Sequence, residues 1–363
     1  MTFKFREYAL NKMLATGMLK INKPGIVTYS NSGFLGSRNF KTRVIYLLEE
    51  TYVSLYNDTL KKIGKVRADE LWYKIGKDVA MRYLLNFKGM DKSSKNLEKI
   101  IRYFSIIFSS MGIPVFNEIS VDSKKLKFLF SGTVPPICAV TKSYSYVSGM
   151  VSGMMSFILN KNIEAKSYIS DDNKIIVFVD NLFEEKHFQC EKIFSEIVFH
   201  KPNLEKEKCL FSGLSSFVDF FKFKIIELDD DGFKLHGKNL IPQEVGTPGI
   251  FSNNYSKIGE GDLFEKSILK SSEKICSEFF SCHKTTEKKV RVIRNICSAL
   301  GLGEIYFTQG KNRVTVNLLN PFFTKGNPSF VPLFFSGILT AMYSEKIKLE
   351  SKTDVKFEYI FEQ

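Results

Sequence analysis

Apolar residues between positions 97 and 111 fall three and four apart. Ile101, Phe104, Ile107, Phe108 and Met111 share one helical face, and Gly112 follows where a helix should stop. Next, Leu126, Phe128 and Phe130 alternate with Lys or Leu, the period of a strand. A small-residue helix, "YVSGMVSGMMSFIL", and a last strand at 173–179, "NKIIVFV", complete the series. The order recurs in the second half. Val290, Ile293, Ile296, Cys297 and Leu300 carry the helical spacing, with Gly301 as the stop. Val314, Val316 and Leu318 alternate, "LFFSGILTAMY" supplies the small-residue helix, and "VKFEYIF" at 355–361 closes the series. Aligning Ser152-Gly153 with Ser336-Gly337 also aligns Ile163 with Ile347.

Ahead of the first series stand "MLKI" and "GIVTYS", the strand "RVIYLL", a helix from about Leu48, and the amphipathic helix "RADELWYKIGKDVAMRYLL". Ahead of the second stand a hairpin signal, "FKIIEL-DDDG-FKLHG", and the helix "DLFEKSILKSSEKICSEFF". The pattern predicts an α+β protein of two tandem copies, each with helices over an antiparallel sheet, joined as a pseudo-dimer. The domains are expected at 1–198 and 199–363. The boundary falls in the polar stretch 201–208, after a linking helix at 184–198.

Gly149, Ser152, Gly153 and Ser156 form a low-profile helical stripe. Together with Gly76 and Gly337 they predict close helix packing in a soluble domain rather than a membrane helix. Lys142 and Lys161 bracket the run, and no window reaches the ~18 apolar residues of a bilayer span. The first residues lack the long apolar core of a signal peptide, so a cytoplasmic protein is expected. The six Cys include no Cys-x-x-Cys pair, which fits reduced, mostly buried thiols. His187 with Cys190, and Cys282 with His283, are the metal-like neighbours. Neither has a second pair at zinc spacing, so no metal is expected.

Charge changes the picture in one place. Residues 1–100 hold 19 Lys and Arg against 9 Asp and Glu, so most of the net +13 belongs to them. Arg38, Lys41, Arg43, Lys61, Lys62, Lys65 and Arg67 are the candidates for a basic face toward an acidic protein or nucleic acid. No recognition motif accompanies them.

The segment "ELWYKIGKDVA", with Tyr73 and Gly76, resembles the aromatic–x–x–Gly helix of the 4-vinyl-reductase domain family. "SGMVSGMMSFILNKNIEAKSY" resembles that family's Ser-Gly-x-x-x-Gly helix and following strand, and "VPPIC" puts Cys138 near a family cysteine. The resemblance covers most of residues 15–180 and, more weakly, 205–363, where Ser272 stands near the place of Gly76. It implies an α+β fold shared with a vesicle-tethering subunit class, often dimeric, around an internal small-molecule cavity. Members sense ligands in transcription regulators or take part in bacteriochlorophyll synthesis. Some hold zinc through cysteines in the last hairpin. Here "AKSYISDDNKIIVFV" and "ESKTDVKFEYIF" have none, so the resemblance implies no zinc.

These readings converge on a non-catalytic protein that binds a hydrophobic small molecule. Trp72, Tyr73, Phe104, Phe108, Tyr144, Tyr146 and Met150 are the expected pocket residues. The alternative is an interaction scaffold that docks its partner through the basic face, and self-association fits either. A reductase is disfavoured: "GEGD" at Gly259 and "GLGE" at Gly301 open no dinucleotide-binding unit, and no Ser-His-Asp or Cys-His set stands out. No cofactor is expected.

Overall fold

The computed structural model describes residues 2–110, 116–122, 127–171, 174–180, 213–229, 232–319, 330–353 and 356–362. The architecture is α+β, with helices packed on antiparallel sheets. The chain opens with α1 (Thr2–Ala15) and a meander of β1 (Leu19–Lys23), β2 (Ile26–Asn31) and β3 (Phe40–Leu48). Next come α2 (Glu49–Ile63) and α3 (Lys65–Leu84). They are separated by Gly64, whose φ of +79° ends one helix and admits the next. After α4 (Leu97–Ser110), β4 (Phe116–Asp122) and β5 (Lys127–Thr133) form a hairpin. The half ends with α5 (Pro136–Thr141), α6 (Ser145–Leu159), β6 (Glu164–Ile169) and β7 (Lys174–Asp180).

The second half begins with α7 (Phe217–Lys222), which Ser216 and Asp219 cap reciprocally. The strands β8 (Ile226–Asp229), β9 (Gly232–Leu235) and β10 (Lys238–Glu244) follow. Then come α8 (Thr247–Lys257), α9 (Gly261–Phe280) and α10 (Thr286–Ala299). The chain closes with β11 (Glu304–Gln309), β12 (Arg313–Leu319), α11 (Phe330–Tyr343), β13 (Ile347–Lys352) and β14 (Lys356–Phe361).

Each half contributes one four-stranded antiparallel sheet, in the orders β4-β5-β7-β6 and β11-β12-β14-β13. The third sheet belongs to both halves, in the order β1-β2-β3-β10-β9-β8. Its seam is the antiparallel pair β3–β10, from Leu48↔Leu240 to Val44↔Glu244. A hydrophobic core runs without a break from Leu10 to Tyr359. The proposed boundary at 201–208, the linking helix at 184–198, Gly112 and Leu126 lie outside the described residues.

Two elements of the seam depart from the sequence expectation, which passed from the second hairpin directly to a long helix. The strand "KNLIPQE" was not expected, because it lacks clean alternation and contains Pro242. The sheet accommodates this proline because β9 pairs only with Lys238 and Asn239. Opposite it, Tyr46 N donates to Leu300 O, 2.9 Å away, rather than into β10. Helix α8 has a polar composition but starts with Pro248 in its first turn and buries Ile250, Phe251 and Tyr255.

The glycines of the small-residue helices lie in close crossings. A Cβ on Gly76 would collide with Tyr146 O, on Gly149 with Tyr73 O, and on Gly153 with Lys77 O. A Cβ on Gly337 would meet Ser272 Oγ and Leu269 O, so the polar Ser272 faces the corresponding crossing in the second half. Ser152 Oγ donates to Ile163 O at 2.6 Å, and Ser336 Oγ to Ile347 O at 3.1 Å, both spanning eleven residues.

Candidate functional site

A cavity of about 110 Å³ lies at the seam, between the β3–β10 pair and helices from both halves. Helix α3 supplies Trp72 and Tyr83, α6 supplies Tyr146 and Met150, and α2 supplies Glu49 and Tyr52. The second half closes it with residues 239–244 of β10 and with Thr247 and Phe251 of α8.

Trp72 is the hub. Its ring centroid lies 5.2 Å from Tyr56, 5.5 Å from Phe251 and 5.9 Å from Tyr146, all in edge-to-face contact. Its Nε1–H donates to Tyr255 OH at 3.1 Å, a group that also bonds Thr59 Oγ1. The indole N–H is therefore satisfied away from the cavity, which meets mainly ring carbon. Tyr52 lies 5.1 Å from Phe251 and donates its hydroxyl proton to Gln243 Oε1 at 2.6 Å. Burial holds the phenols of Tyr52, Tyr83 and Tyr146 above the ordinary tyrosine value, so they stay neutral.

Acidic groups mark the polar edge. Glu49, in the first turn of α2, accepts from Asn239 Nδ2 at 2.8 Å. Glu244 Oε1 accepts from Thr42 Oγ1 at 3.1 Å and faces Arg82 Nη2 at 3.5 Å, while its Oε2 accepts from Gly246 N at 2.9 Å. Among the described residues, no Lys, Arg or His lines the cavity itself.

Of the expected pocket residues, Trp72, Tyr146 and Met150 line this cavity. Tyr73 does not: adjacent helical positions are ~100° apart, so it faces away from Trp72. Its hydroxyl donates to Glu164 Oε2 and accepts from Ala165 N at 3.1 Å. Phe104 is core, edge-on to Phe87 at 4.9 Å, because α4 packs elsewhere. Tyr144 belongs to a shallow surface depression with Lys65, Asp69 and Lys142. The side chain of Phe108 lies outside the described residues. Tyr52, Tyr83, Gln243, Glu244 and Phe251 were not foreseen. Pro248 directly after "VGT" was the one signal for α8.

Arg38, Lys61, Lys62, Lys65 and Arg67 are exposed, the last four around the Gly64 corner, and Lys41 is half-buried near Lys20 and Lys23. Arg43 is not on a face. It sits on a central strand, fully buried, and its Nη2 donates to Gly25 O at 2.6 Å and Gly301 O at 3.2 Å. Desolvation pushes its pKa down to about 9. It ties the glycine loop after α10 to the first half, alongside Gly25 N donating to Ser298 O at 2.8 Å.

Cys138 is buried beside Glu49, and burial first, then that carboxylate, raises its thiol. Among the described residues, no group of three or more His, Cys, Asp or Glu is placed to hold a metal ion. His187 and Cys190 lie outside them. No helix among the described residues is long and apolar enough to cross a membrane. No family model matches the chain, and no curated protein does.

Proposed function

We propose that this is a non-catalytic small-molecule-binding or sensing protein of the cytoplasm. In this reading two 4-vinyl-reductase-like domains are fused into a pseudo-dimer and hold the ligand at their seam. The matching order of the two four-stranded sheets and the matching Ser152 and Ser336 bonds support two copies of one unit. The observation that carries the reading is the cavity walled by Trp72 and Tyr146 from one half and Phe251 from the other. Aromatic walls with a few placed polar groups are the usual form of a small-molecule site.

Native mass spectrometry of the chain purified from its own host tests this. The expected result is a mass excess released on collisional activation. A bare mass, together with no thermal shift across a panel of small aromatic compounds, would overturn the reading.

A scaffold role has one observation in its favour: Lys61, Lys62, Lys65 and Arg67 are all exposed around Gly64, with Lys65 paired to Asp69, beside an exposed Val66. If this corner binds nucleic acid, affinity falls steeply with salt through counterion release. Reversing Lys61, Lys62 and Lys65 to Glu then weakens binding for every sequence and flattens the salt slope. Absence of binding to labelled DNA and RNA at low salt by fluorescence anisotropy eliminates that partner and leaves an acidic protein.

A further inference from the structure

Where β10 turns into α8, the seam cavity presents two buried polar groups with nothing to donate to, and this constrains the chemistry of a ligand. Gln243 lines the cavity and is only 7% exposed. Its Oε1 accepts the Tyr52 hydroxyl proton at 2.6 Å, the length of an O–H···O bond rather than of an N–H···O bond. That bond fixes the orientation of the amide, because the reverse orientation would set the Tyr52 proton against an N–H group. Gln243 Nε2 is therefore left as a donor, and it has no acceptor among the described residues. Thr247, in the first turn of α8, lines the same cavity and is 2% exposed, and its hydroxyl bonds no group among the described residues. A hydroxyl can turn to donate or to accept, whereas an amide nitrogen only donates. The other polar side chains are engaged or distant. Glu244 accepts from Thr42 and Gly246 and faces Arg82. Tyr83 lies against Tyr29, their ring centroids 6.1 Å apart. Asn239 and Glu49 bond to each other, four residues before Gln243 along the strand, about 13 Å away.

A buried donor without an acceptor is unfavourable, and a ligand oxygen placed against it relieves that. A carboxylate would bring such oxygens. However, a charge taken out of water needs a partner of opposite sign, and no Lys, Arg or His among the described residues lines the cavity. An ammonium group brings only donors and would leave Gln243 Nε2 unpaired. The walls beside these two residues are aromatic. Trp72, Tyr146 and Phe251 are mutual neighbours at 5.5–6.0 Å, and Tyr52 adjoins Phe251. The volume of about 110 Å³ is smaller than the ~150 Å³ cavity that accepts a benzene. A small ring or short alkyl group is therefore the scale of the apolar part.

We propose that the ligand of this cavity is a small uncharged carbonyl compound, its oxygen accepting from Gln243 Nε2 and the Thr247 hydroxyl and its apolar body lying among Trp72, Tyr146 and Phe251. This rests on reading the cavity as a ligand site and adds the class of ligand.

The chain has a single tryptophan, and it lines the cavity, so one indole N–H resonance in a proton–nitrogen correlation spectrum reports binding. The probes are cyclopentanone, methylenecyclopentane and cyclopentylamine at neutral pH. They share a ring and present, in turn, an acceptor oxygen, no polar group and a cation. The expected result is a saturable shift of the Trp72 resonance by cyclopentanone, with cyclopentylamine binding roughly tenfold or more weakly. Thr247→Val, which keeps the shape and removes the hydroxyl, should weaken cyclopentanone about fivefold and leave methylenecyclopentane within about twofold of its original affinity. Thr247→Ser, which keeps the hydroxyl, should hold cyclopentanone within about twofold. A misfolded variant is recognised by its ligand-free indole resonance, and the wild-type series then decides alone. If cyclopentylamine binds as well as cyclopentanone, or if Thr247→Val weakens the ketone no more than the hydrocarbon, the carbonyl inference fails while the cavity remains a ligand site. If no probe moves the Trp72 resonance, both readings fall.

Discussion

Arg82 and Glu244 form a buried ion pair across the seam, Nη2 to Oε1 3.5 Å, with side chains only 3% and 5% exposed. One residue belongs to each half, so their contact ties helix α3 to the end of strand β10. Removing a single partner takes an opposite charge away from one that stays buried. Glu244→Leu is therefore expected to cost about 3–5 kcal/mol in urea unfolding. Adding Arg82→Met should recover part of that loss, because the buried cation goes too. A single-mutant loss below ~1 kcal/mol would mean that the pair contributes nothing measurable at the seam.

The crossing of α3 and α6 rests on backbone meeting backbone. A methyl at Gly149 would enter Tyr73 O, which is held in a helix and has no flexible end to give way. Gly149→Ala is expected to lose at least ~3 kcal/mol, and Gly153→Leu more, at the upper end of overpacking costs. Gly310→Ala is the control: its methyl would meet chiefly the Arg313 chain, and a change within ~0.5 kcal/mol is expected. Thermal melts in which Gly149→Ala and Gly310→Ala behave alike would remove close helix contact as the reason for these glycines.

Asp78 on α3 reaches across the seam to Asn254 Nδ2, 3.0 Å away. Burial raises its carboxyl pKa above the ordinary 3.8, a shift that the Asn254 bond and nearby lysines only partly oppose. The folded state then holds this proton more firmly than the unfolded chain does. Its contribution to stability falls as pH rises from 3.8 through the raised folded value. Asp78→Asn is expected to stabilise the protein at pH 7 and to give no such gain at pH 3, where Asp78 is protonated in both states. Equal differences in melting temperature at the two pH values would contradict this.

The parts of this structure that a sequence reveals are those with a regular period. Ile101, Phe104 and Ile107, or Val314, Val316 and Leu318, declare their elements because one face of each is buried. The seam follows other rules. Strand β10 is central and contains a proline, which is tolerated only because β9 has ended and Tyr46 N turns to Leu300 O. Arg43 reads as a surface charge, yet two backbone carbonyls from different halves solvate it. Trp72 and Tyr73 are equally aromatic neighbours, and only the register of α3 decides which one faces the cavity. Phe251 joins Trp72 from 179 residues away, a contact that no local pattern announces.

If the seam encloses an apolar site reachable by a small ligand, crystals of the full chain pressurised with xenon will reveal it. Xenon enters apolar cavities of this size without needing a specific polar partner. The expected result is one ordered xenon peak among Trp72, Tyr146 and Phe251, lost when the space is filled by Met150→Trp. Closed packing of those rings with no xenon between them would mean that no room remains for a ligand at the seam.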